Sequence, residues 1–302
     1  MIDPERVSVV IPTNRGGEAL PLILERLRSD PAVREILLVD DRAAGACGEL
    51  LASIPEPVHV LRTTGAVGSN SARELGVASA AADIVLLLDD DVVPEPGLAS
   101  GHAREHAQPG RVVVGYMPVP APQDARLESL PRFLYRHEYE KCVGRYEHEP
   151  ATILTNLWGG NVSLRREDAM RVGLNSPEFR GRRHVDKDFG IRCARAGLVG
   201  AFSRDLAASH EYERSLRAFL RDSWEQGYGR ASLADVHNPA AASEGVRLSS
   251  HLWAVRRSLG ATRSLGPTRA VQLWALQLAR RCQLFRGGRA ALRSAAANES
   301  SA

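Results

Sequence analysis

The chain has 302 residues, of which 44% are hydrophobic and 25% are charged, a composition typical of folded globular proteins. Its formal net charge is only +3, so charge gives no reason to expect a nucleic-acid partner. The cysteines, Cys47, Cys142, Cys193 and Cys282, lie far apart without C-x-x-C spacing, so they suggest neither a zinc site nor a disulfide framework.

The first 120 residues alternate between two patterns. Short runs of β-branched and apolar residues predict buried strands, and apolar residues at helical spacing predict helices. In chain order, this gives strands at 7–13, 35–41, 58–62, 83–91 and 111–119, with helices at 18–29 and 70–81. Strands that alternate with helices are typical of a mostly parallel sheet covered on both faces. The predicted fold class is therefore α/β.

Three of these strands end in polar side chains. Thr13 ends the first, Asp40 and Asp41 end the second, and three consecutive aspartates at 89–91 end the fourth. Ligands bind at the carboxyl ends of parallel strands, and carboxylates suit Mg²⁺ and Mn²⁺. A solvated acidic loop explains one such end, but three favour a metal-bound diphosphate. The chain lacks the Walker A, G-x-G-x-x-G and G-x-S-x-G motifs, so kinase, dinucleotide and serine-hydrolase functions lose support.

The second half of the chain is predicted to be mainly helical. The expected elements are a helix at 124–146, a strand leading into a helix at 161–168, and helices at 186–197 and 215–229. The segment 234–245 has the composition of a linker. We therefore divide the chain into a main domain at 1–233, a linker at 234–245 and a helical, basic extension at 246–302.

The C-terminal extension combines arginines with large apolar residues. Ten arginines and a single acid, Glu299, follow Gly245, and Trp253 and Trp274 are interleaved with leucines. Such a segment packs on the protein, meets an acidic membrane surface or binds a polyanion, and we favour these interpretations in that order. No signal-peptide pattern is found, and no apolar run approaches the roughly 18 residues that span a bilayer. We expect a cytoplasmic protein, with peripheral contact at the inner membrane face as the second interpretation.

Five segments carry a family resemblance. In chain order they read VSVVIPTNR, ILLVDD, SNSARELGVASAAADIVLLLDDDVVPEPG, WGGNVSLRR and VDKDFGIRCARAG. Together they resemble the family-2 glycosyltransferases of the GT-A fold, over residues 7–229. The resemblance implies one GT-A-type, Rossmann-like catalytic domain that uses a nucleotide-diphosphate sugar. Residues 1–117 would be its nucleotide-binding half and residues 118–233 its acceptor half.

The resemblance also implies where the donor nucleotide binds. The base-binding positions of the family fall on Pro12, Thr13 and Asp41, with Asp40 beside them. Its nucleotide-side arginine falls on Arg73. A uridine nucleotide is the implied donor.

A metal site is implied by the same resemblance. The D-x-D of the family falls on Asp89 and Asp91, of which Asp91 is the better ligand, and Asp90 lies between them on the substrate side. In some relatives a histidine after the last core strand also binds the metal, and His210 occupies that place. Taken alone, His210 would be read as an ordinary core or surface histidine. The implied cofactor is Mn²⁺ or Mg²⁺.

The catalytic position of the family falls on Asp186. Asp188 is its neighbour on the substrate side, and Gly159, Gly160 and Asn161 would lie near the donor sugar and the acceptor. Two residues are about 200° apart around a helix, so we expect the two aspartates to face different directions if both are helical. Taken alone, acids in the first turn of a helix are explained by the helix dipole.

The leading hypothesis is an inverting glycosyltransferase that acts by one metal-assisted displacement. The acceptor would be a hydroxyl-bearing small molecule, lipid or glycan, and no nucleic-acid partner is expected. One alternative is a sugar nucleotidyltransferase, which needs a glycine-rich basic loop after the first strand, where the chain offers Arg15-Gly16-Gly17. The other alternative is a non-catalytic module that binds a nucleotide sugar or a membrane.

Overall fold

The computed structural model describes residues 6–14, 17–42, 57–65, 67–121, 127–179, 183–238 and 267–299. Its strands are β1 (Val7–Thr13), β2 (Val33–Asp40), β3 (Val58–Arg62), β4 (Ile84–Leu88), β5 (Val92–Pro94), β6 (Arg111–Tyr116), β7 (Asn161–Arg165) and β8 (Val199–His210). Its α-helices are α1 (Leu20–Arg28), α2 (Ser69–Ser79), α3 (Leu98–Glu105), α4 (Leu130–His148), α5 (Arg166–Val172), α6 (Val185–Arg195), α7 (Leu216–His237) and α8 (Pro267–Glu299). Short 3₁₀ turns lie at Leu127–Ser129, Pro150–Thr152 and Leu154–Asn156.

The described strands form a mixed sheet in the order β3-β2-β1-β4-β7-β6-β8-β5. The pairings β1–β2, β1–β4, β2–β3 and β6–β8 are parallel. The strand β7 runs antiparallel to both β4 and β6, and β5 runs antiparallel to β8. The predicted α/β class with a mostly parallel central sheet is confirmed.

The central strands are apolar on both faces because helices cover both sides of the sheet. Every residue of β1 and β4 is buried, the pattern expected of a doubly covered parallel strand. Alternate side chains enter opposite layers: Val9 and Leu86 belong to one core cluster, and Val10 and Leu87 to the other. This rigid centre fixes the ends of β1 and β4, where the polar residues begin.

The chain divides into two compact units. The first contains residues 1–120, 136–176 and 186–212, and the second contains residues 121–135, 177–185 and 213–302. All the described strands belong to the first unit. The division at 233 and 245 remains a prediction. The helix α7 continues to His237, inside the segment predicted as a linker, and residues 239–245 of that segment lie outside the described residues.

Within the second unit, α8 packs closely along α7. A Cβ atom added to Gly227 would collide with the backbone of Leu284, and one added to Gly287 would collide with the backbone of Trp224. Glycine at both contacts therefore lets the two helix backbones approach each other. One face of α8 therefore packs on the protein, as the favoured interpretation of the basic extension predicts. Among the described helices, none is both long and apolar enough to cross a membrane.

Candidate active site

The polar strand ends meet at one edge of the sheet, within the first unit. Thr13 lies beside Asp40 in the β1–β2 register, and the amide of Asp41 donates to the carbonyl of Thr13 at 2.8 Å. The antiparallel strand β7 begins at Asn161, opposite Leu88 at the end of β4. The turn before β7 therefore joins the same edge as the aspartates after β4.

Arg73 of α2 connects two of the predicted site carboxylates. Its side chain is only 4% exposed. The Nη2 atom donates to Asp89 Oδ1, and the Nη1 atom donates to Asp186 Oδ1 at 3.1 Å and to Asn70 Oδ1 at 3.1 Å. One buried cation thus holds an aspartate from the end of β4 and an aspartate from the start of α6.

Burial and charge act in opposite directions at this cluster. Burial alone lowers the pKa of Arg73, but the attraction of Asp89 and Asp186 outweighs it and raises the pKa above its ordinary value. Burial raises the pKa of Asp89, and repulsion from Asp91 and Asp186 adds to this rise, while Arg73 and His210 oppose it. The site therefore concentrates negative charge that Arg73 offsets only in part.

Asp90 and Asp91 have partners different from that of Asp89. Thr13 Oγ1 donates to Asp90 Oδ2 at 2.6 Å. Burial raises the pKa of Asp90, and the Thr13 hydrogen bond opposes this shift. Asp91 Oδ1 lies 3.4 Å from His210 Nε2. The three consecutive aspartates therefore point to an arginine, a hydroxyl and a histidine.

The pair of Asp91 and His210 is set by strand pairing. The strand β5 follows Asp91 and pairs with the end of β8, where Val92 lies opposite His210, and the Glu211 amide donates to the Asp91 carbonyl at 2.8 Å. Carboxylate oxygens suit both Mg²⁺ and Mn²⁺, whereas an imidazole nitrogen is not a usual ligand of Mg²⁺. The donor chemistry fits a divalent cation that also binds substrate oxygens. Within the described residues, no group of three or more His, Cys, Asp or Glu side chains is arranged to hold a metal by itself.

Two glycines before β7 let the carboxylates approach the backbone. The Gly159 amide donates to Asp186 Oδ2 at 3.2 Å, and the Asp89 amide donates to the Gly160 carbonyl at 3.1 Å. A Cβ atom on Gly159 would lie 2.6 Å from Asp186 Oδ1, and one on Gly160 would lie 2.8 Å from Asp89 Oδ2. Any larger residue would therefore displace these carboxylates.

Asp186 and Asp188 face different surroundings, as the rotation between them predicts. Asp186 contacts Arg73 and Gly159, as described above. Asp188 is 2% exposed and accepts from Arg192 Nε at 3.0 Å. Arg192 also donates to the carbonyls of residues 172–174. The contacts of Asp188 thus fasten α6 to the end of α5, and its role in substrate binding remains a prediction.

Asp40 and Asp41 are both buried, and their side chains accept hydrogen bonds from neighbouring segments of the chain. Asp41 accepts from the amides of Val67 and Gly68, each at 2.8 Å, and from the Thr63 hydroxyl at 2.9 Å. Asp40 Oδ1 accepts from Arg42 Nε at 2.8 Å. Asp41 therefore shapes the entry to α2, the helix that carries Arg73.

Asn161 belongs to a buried polar chain that the sequence did not predict. Its Nδ2 donates to the Leu206 carbonyl at 3.0 Å, so its Oδ1 accepts from His102 Nε2 at 2.9 Å. His102 Nδ1 then accepts from the Ser163 hydroxyl at 2.7 Å, and Ser163 Oγ accepts from His106 Nε2 at 2.7 Å. The four-residue spacing of His102 in α3 and His106 directly after it was the available signal. These contacts occupy the side chain of Asn161 within the protein. A role for Asn161 near the sugar remains a prediction.

Comparison with known proteins identifies related sequences and folds. Residues 8–173 match the model of glycosyl transferase family 2. A relative from Pectobacterium carotovorum, undecaprenyl-phosphate 4-deoxy-4-formamido-L-arabinose transferase, is 36% identical over 122 residues. The aligned segment covers 37% of this chain and 37% of the length of that relative.

Two solved structures have a similar fold. The mannosyltransferase PcManGT from Pyrobaculum calidifontis, in complex with GDP-Man and Mn²⁺, has a TM-score of 0.59 at 16% identity, over 96% of this chain and 88% of that chain. Residues 1–349 of S. aureus TarS have a TM-score of 0.50 at 14% identity, over 96% of this chain and 92% of that chain. At these identities the likeness concerns the fold alone.

Proposed function

The chain belongs to glycosyl transferase family 2, and we propose that it is a glycosyltransferase that transfers a sugar from a nucleotide-diphosphate donor with inversion, by a single displacement. The observation that carries this proposal is the bridge from Arg73 to Asp89 and Asp186. In this proposal Asp89 belongs to the diphosphate side of the reaction and Asp186 to the acceptor side, and the bridge supports it by holding the two aspartates next to each other. A displacement needs these two sides on opposite faces of one sugar carbon.

Asp91 and His210 are the residues that would hold a divalent cation, with Asp89 beside them. The 3.4 Å separation of the Asp91 and His210 side-chain atoms supports this assignment. A bound cation would supply charge neutralisation for the departing diphosphate. We favour Mn²⁺ because one of the two donors is a nitrogen.

Asp186 is the proposed general base. Its side chain is 33% exposed, so an acceptor hydroxyl can reach it. Arg73 and the Gly159 amide hold its two oxygens in place, and a fixed carboxylate can take the hydroxyl proton as the new bond to the sugar carbon forms. The diphosphate leaves from the opposite face, which inverts the anomeric centre.

The base of the donor is proposed to be uracil, held near Pro12, Thr13 and Asp41. This assignment rests on the family resemblance of those positions. Calorimetric titration with UDP, GDP and dTDP in the presence of Mn²⁺ tests it. Clear preference for GDP or dTDP would overturn the uridine assignment while leaving the transferase proposal intact.

The acceptor is proposed to be a hydroxyl-bearing small molecule, lipid or glycan. A lipid acceptor gains support from the relative named for undecaprenyl phosphate, a lipid that carries a phosphate in place of a hydroxyl. The relative is matched over only 37% of its length, so the support is for the class of acceptor. A panel of lipid and water-soluble acceptors, assayed with one radiolabelled donor, would separate the classes.

The deciding experiment measures which product leaves a nucleotide sugar. Release of nucleoside diphosphate that depends on Mn²⁺ is expected from the full chain, and Asp91→Asn and His210→Gln should each abolish this metal-dependent turnover. Release of pyrophosphate would favour the sugar nucleotidyltransferase instead. Binding of the donor without turnover in any acceptor panel would favour the non-catalytic module. Turnover that survives a chelator or Asp91→Asn would remove the metal assignment.

A further inference from the structure

The helix α8 carries a continuous stripe of side chains on the side that faces away from α7. Positions three and four apart lie on one helix face, and eight such positions fall within a sector of about 120° at 3.6 residues per turn. Seven are exposed and Leu278 is half-buried. We call this set the α8 stripe: Val271, Trp274, Ala275, Leu278, Cys282, Arg286, Arg289 and Arg293.

The opposite side of α8 is occupied by the protein itself. Leu273 and Leu276 are buried in a cluster with Phe219 of α7, and Leu284 is 3% exposed. The α8 stripe is therefore the outward side of a docked helix, and its exposure follows from the packing of α8 on α7.

Apolar and basic residues are separated along the α8 stripe. Its first half exposes large apolar side chains, with Val271 65% and Trp274 41% exposed. Its second half presents three exposed arginines. Residues 267–298 of α8 contain no acid, and Glu299 is the helix's single carboxylate. From Val271 to Arg293 the stripe is about 33 Å long at 1.5 Å per residue.

We propose that the α8 stripe lies on the surface of an anionic lipid bilayer. Tryptophan and valine would enter the boundary between headgroups and acyl chains, and the arginines would contact lipid phosphates. Apolar insertion and basic attraction together supply the two signals that stable peripheral binding needs. This surface is independent of the active site, so the proposal does not rest on the proposed reaction.

Charge and exposure favour a bilayer over the other polyanions and over a second copy of the chain. A nucleic-acid duplex would pair with the arginines but leave Val271 and Trp274 in water. A second copy would bring its own α8 stripe, which has no carboxylate to pair with the arginines. An anionic bilayer satisfies both halves of the stripe at once.

Co-sedimentation of the full chain with lipid vesicles tests the proposal. We expect binding to vesicles of phosphatidylglycerol and phosphatidylcholine at low salt, and much weaker binding to phosphatidylcholine alone. The triple variant Arg286→Gln, Arg289→Gln, Arg293→Gln should bind about 10²-fold more weakly, since each arginine near an anionic surface contributes about a fivefold factor. A matched variant, Arg28→Gln, Arg34→Gln, Arg195→Gln, removes the same charge at exposed positions of the first unit and should bind like the wild type.

A second variant tests the apolar half of the stripe. Trp274→Ser should weaken vesicle binding and reduce the blue shift of tryptophan emission on vesicle addition, whereas Trp274→Phe should retain most of the binding. Circular dichroism confirms that each variant is folded. The proposal is overturned if the wild type does not bind anionic vesicles or if the triple variant binds them as well as its matched control does. It is also overturned if the triple substitution changes only a monomer–dimer equilibrium.

Discussion

Arg73 Nη1 and Asp186 Oδ1 form a 3.1 Å ion pair between residues 113 positions apart in the chain. The same guanidinium also binds Asp89. The guanidinium is planar and carries several donors, so it can satisfy two carboxylates at once. This contact aligns the end of β4 with the start of α6.

Replacing Arg73 should weaken both the fold and donor binding. Arg73→Met leaves Asp89 and Asp186 close together without a cation, and we expect unfolding to require about 1–3 kcal/mol less free energy, because both carboxylates keep some water contact. Arg73→Lys keeps the charge but cannot bridge both partners, so it should restore stability better than donor affinity. Urea unfolding and donor titration measure the two effects. Equal donor affinity in all three proteins would show that the bridge does not shape the donor site.

The two acidic residues of α6 should have different roles, Asp186 in turnover and Asp188 in stability. Asp186→Asn should lower turnover by about 10²–10⁴-fold with little change in donor affinity, since it removes the proposed base. Asp188→Asn should instead lower the free energy of unfolding by about 1–3 kcal/mol, because it weakens the buried contact with Arg192. Turnover, donor affinity and urea unfolding of both variants test this. If Asp188→Asn lost most of its turnover while Asp186→Asn stayed nearly normal, the catalytic role would be assigned to Asp188 instead.

The glycines before β7 should tolerate no side chain. Gly159→Ala places a methyl group 2.6 Å from Asp186 Oδ1, and Gly160→Ala places one 2.8 Å from Asp89 Oδ2, so both should lose turnover as these carboxylates shift. Gly144→Ala is the matched control, because its added Cβ meets no atom within 4 Å and alanine gains about 0.5–1 kcal/mol over glycine in a helix. Steady-state kinetics and thermal unfolding compare the three. Full activity of Gly159→Ala would contradict the tight approach.

The stability of the protein should fall below neutral pH partly through His102. Burial lowers the pKa of His102 from 6.5 to about 3, so between these values the unfolded chain binds the proton more readily than the folded one. Its contribution is complete above pH 6.5 and is lost as the pH falls toward 3. Between pH 7.5 and 5.5 it amounts to about 1.4 kcal/mol.

Urea unfolding at several pH values, with His102→Gln as the comparison, measures this contribution. The variant should show a shallower loss of stability between pH 7.5 and 5.5, because its amide does not titrate. Identical slopes for the two proteins would mean that His102 is not held neutral by burial.

The sequence alone determined the alternation of strands and helices and the convergence of Thr13, Asp40, Asp41 and the aspartates at 89–91 on one sheet edge. These features follow from local apolar periodicity and from the geometry of parallel strands. The rotation between Asp186 and Asp188 was predictable for the same reason, since the helical repeat fixes it.

Only the tertiary structure decided which partner each aspartate meets. The antiparallel direction of β7 was not predicted, because the side chains of a five-residue strand alternate between the two faces in the same way in either direction. Nor was β8 predicted from 199–210, although it places His210 beside Asp91. Hydrogen-bond partners depend on distances between elements far apart in the chain. Local sequence patterns do not encode those distances; the packing of the sheet and its helices sets them.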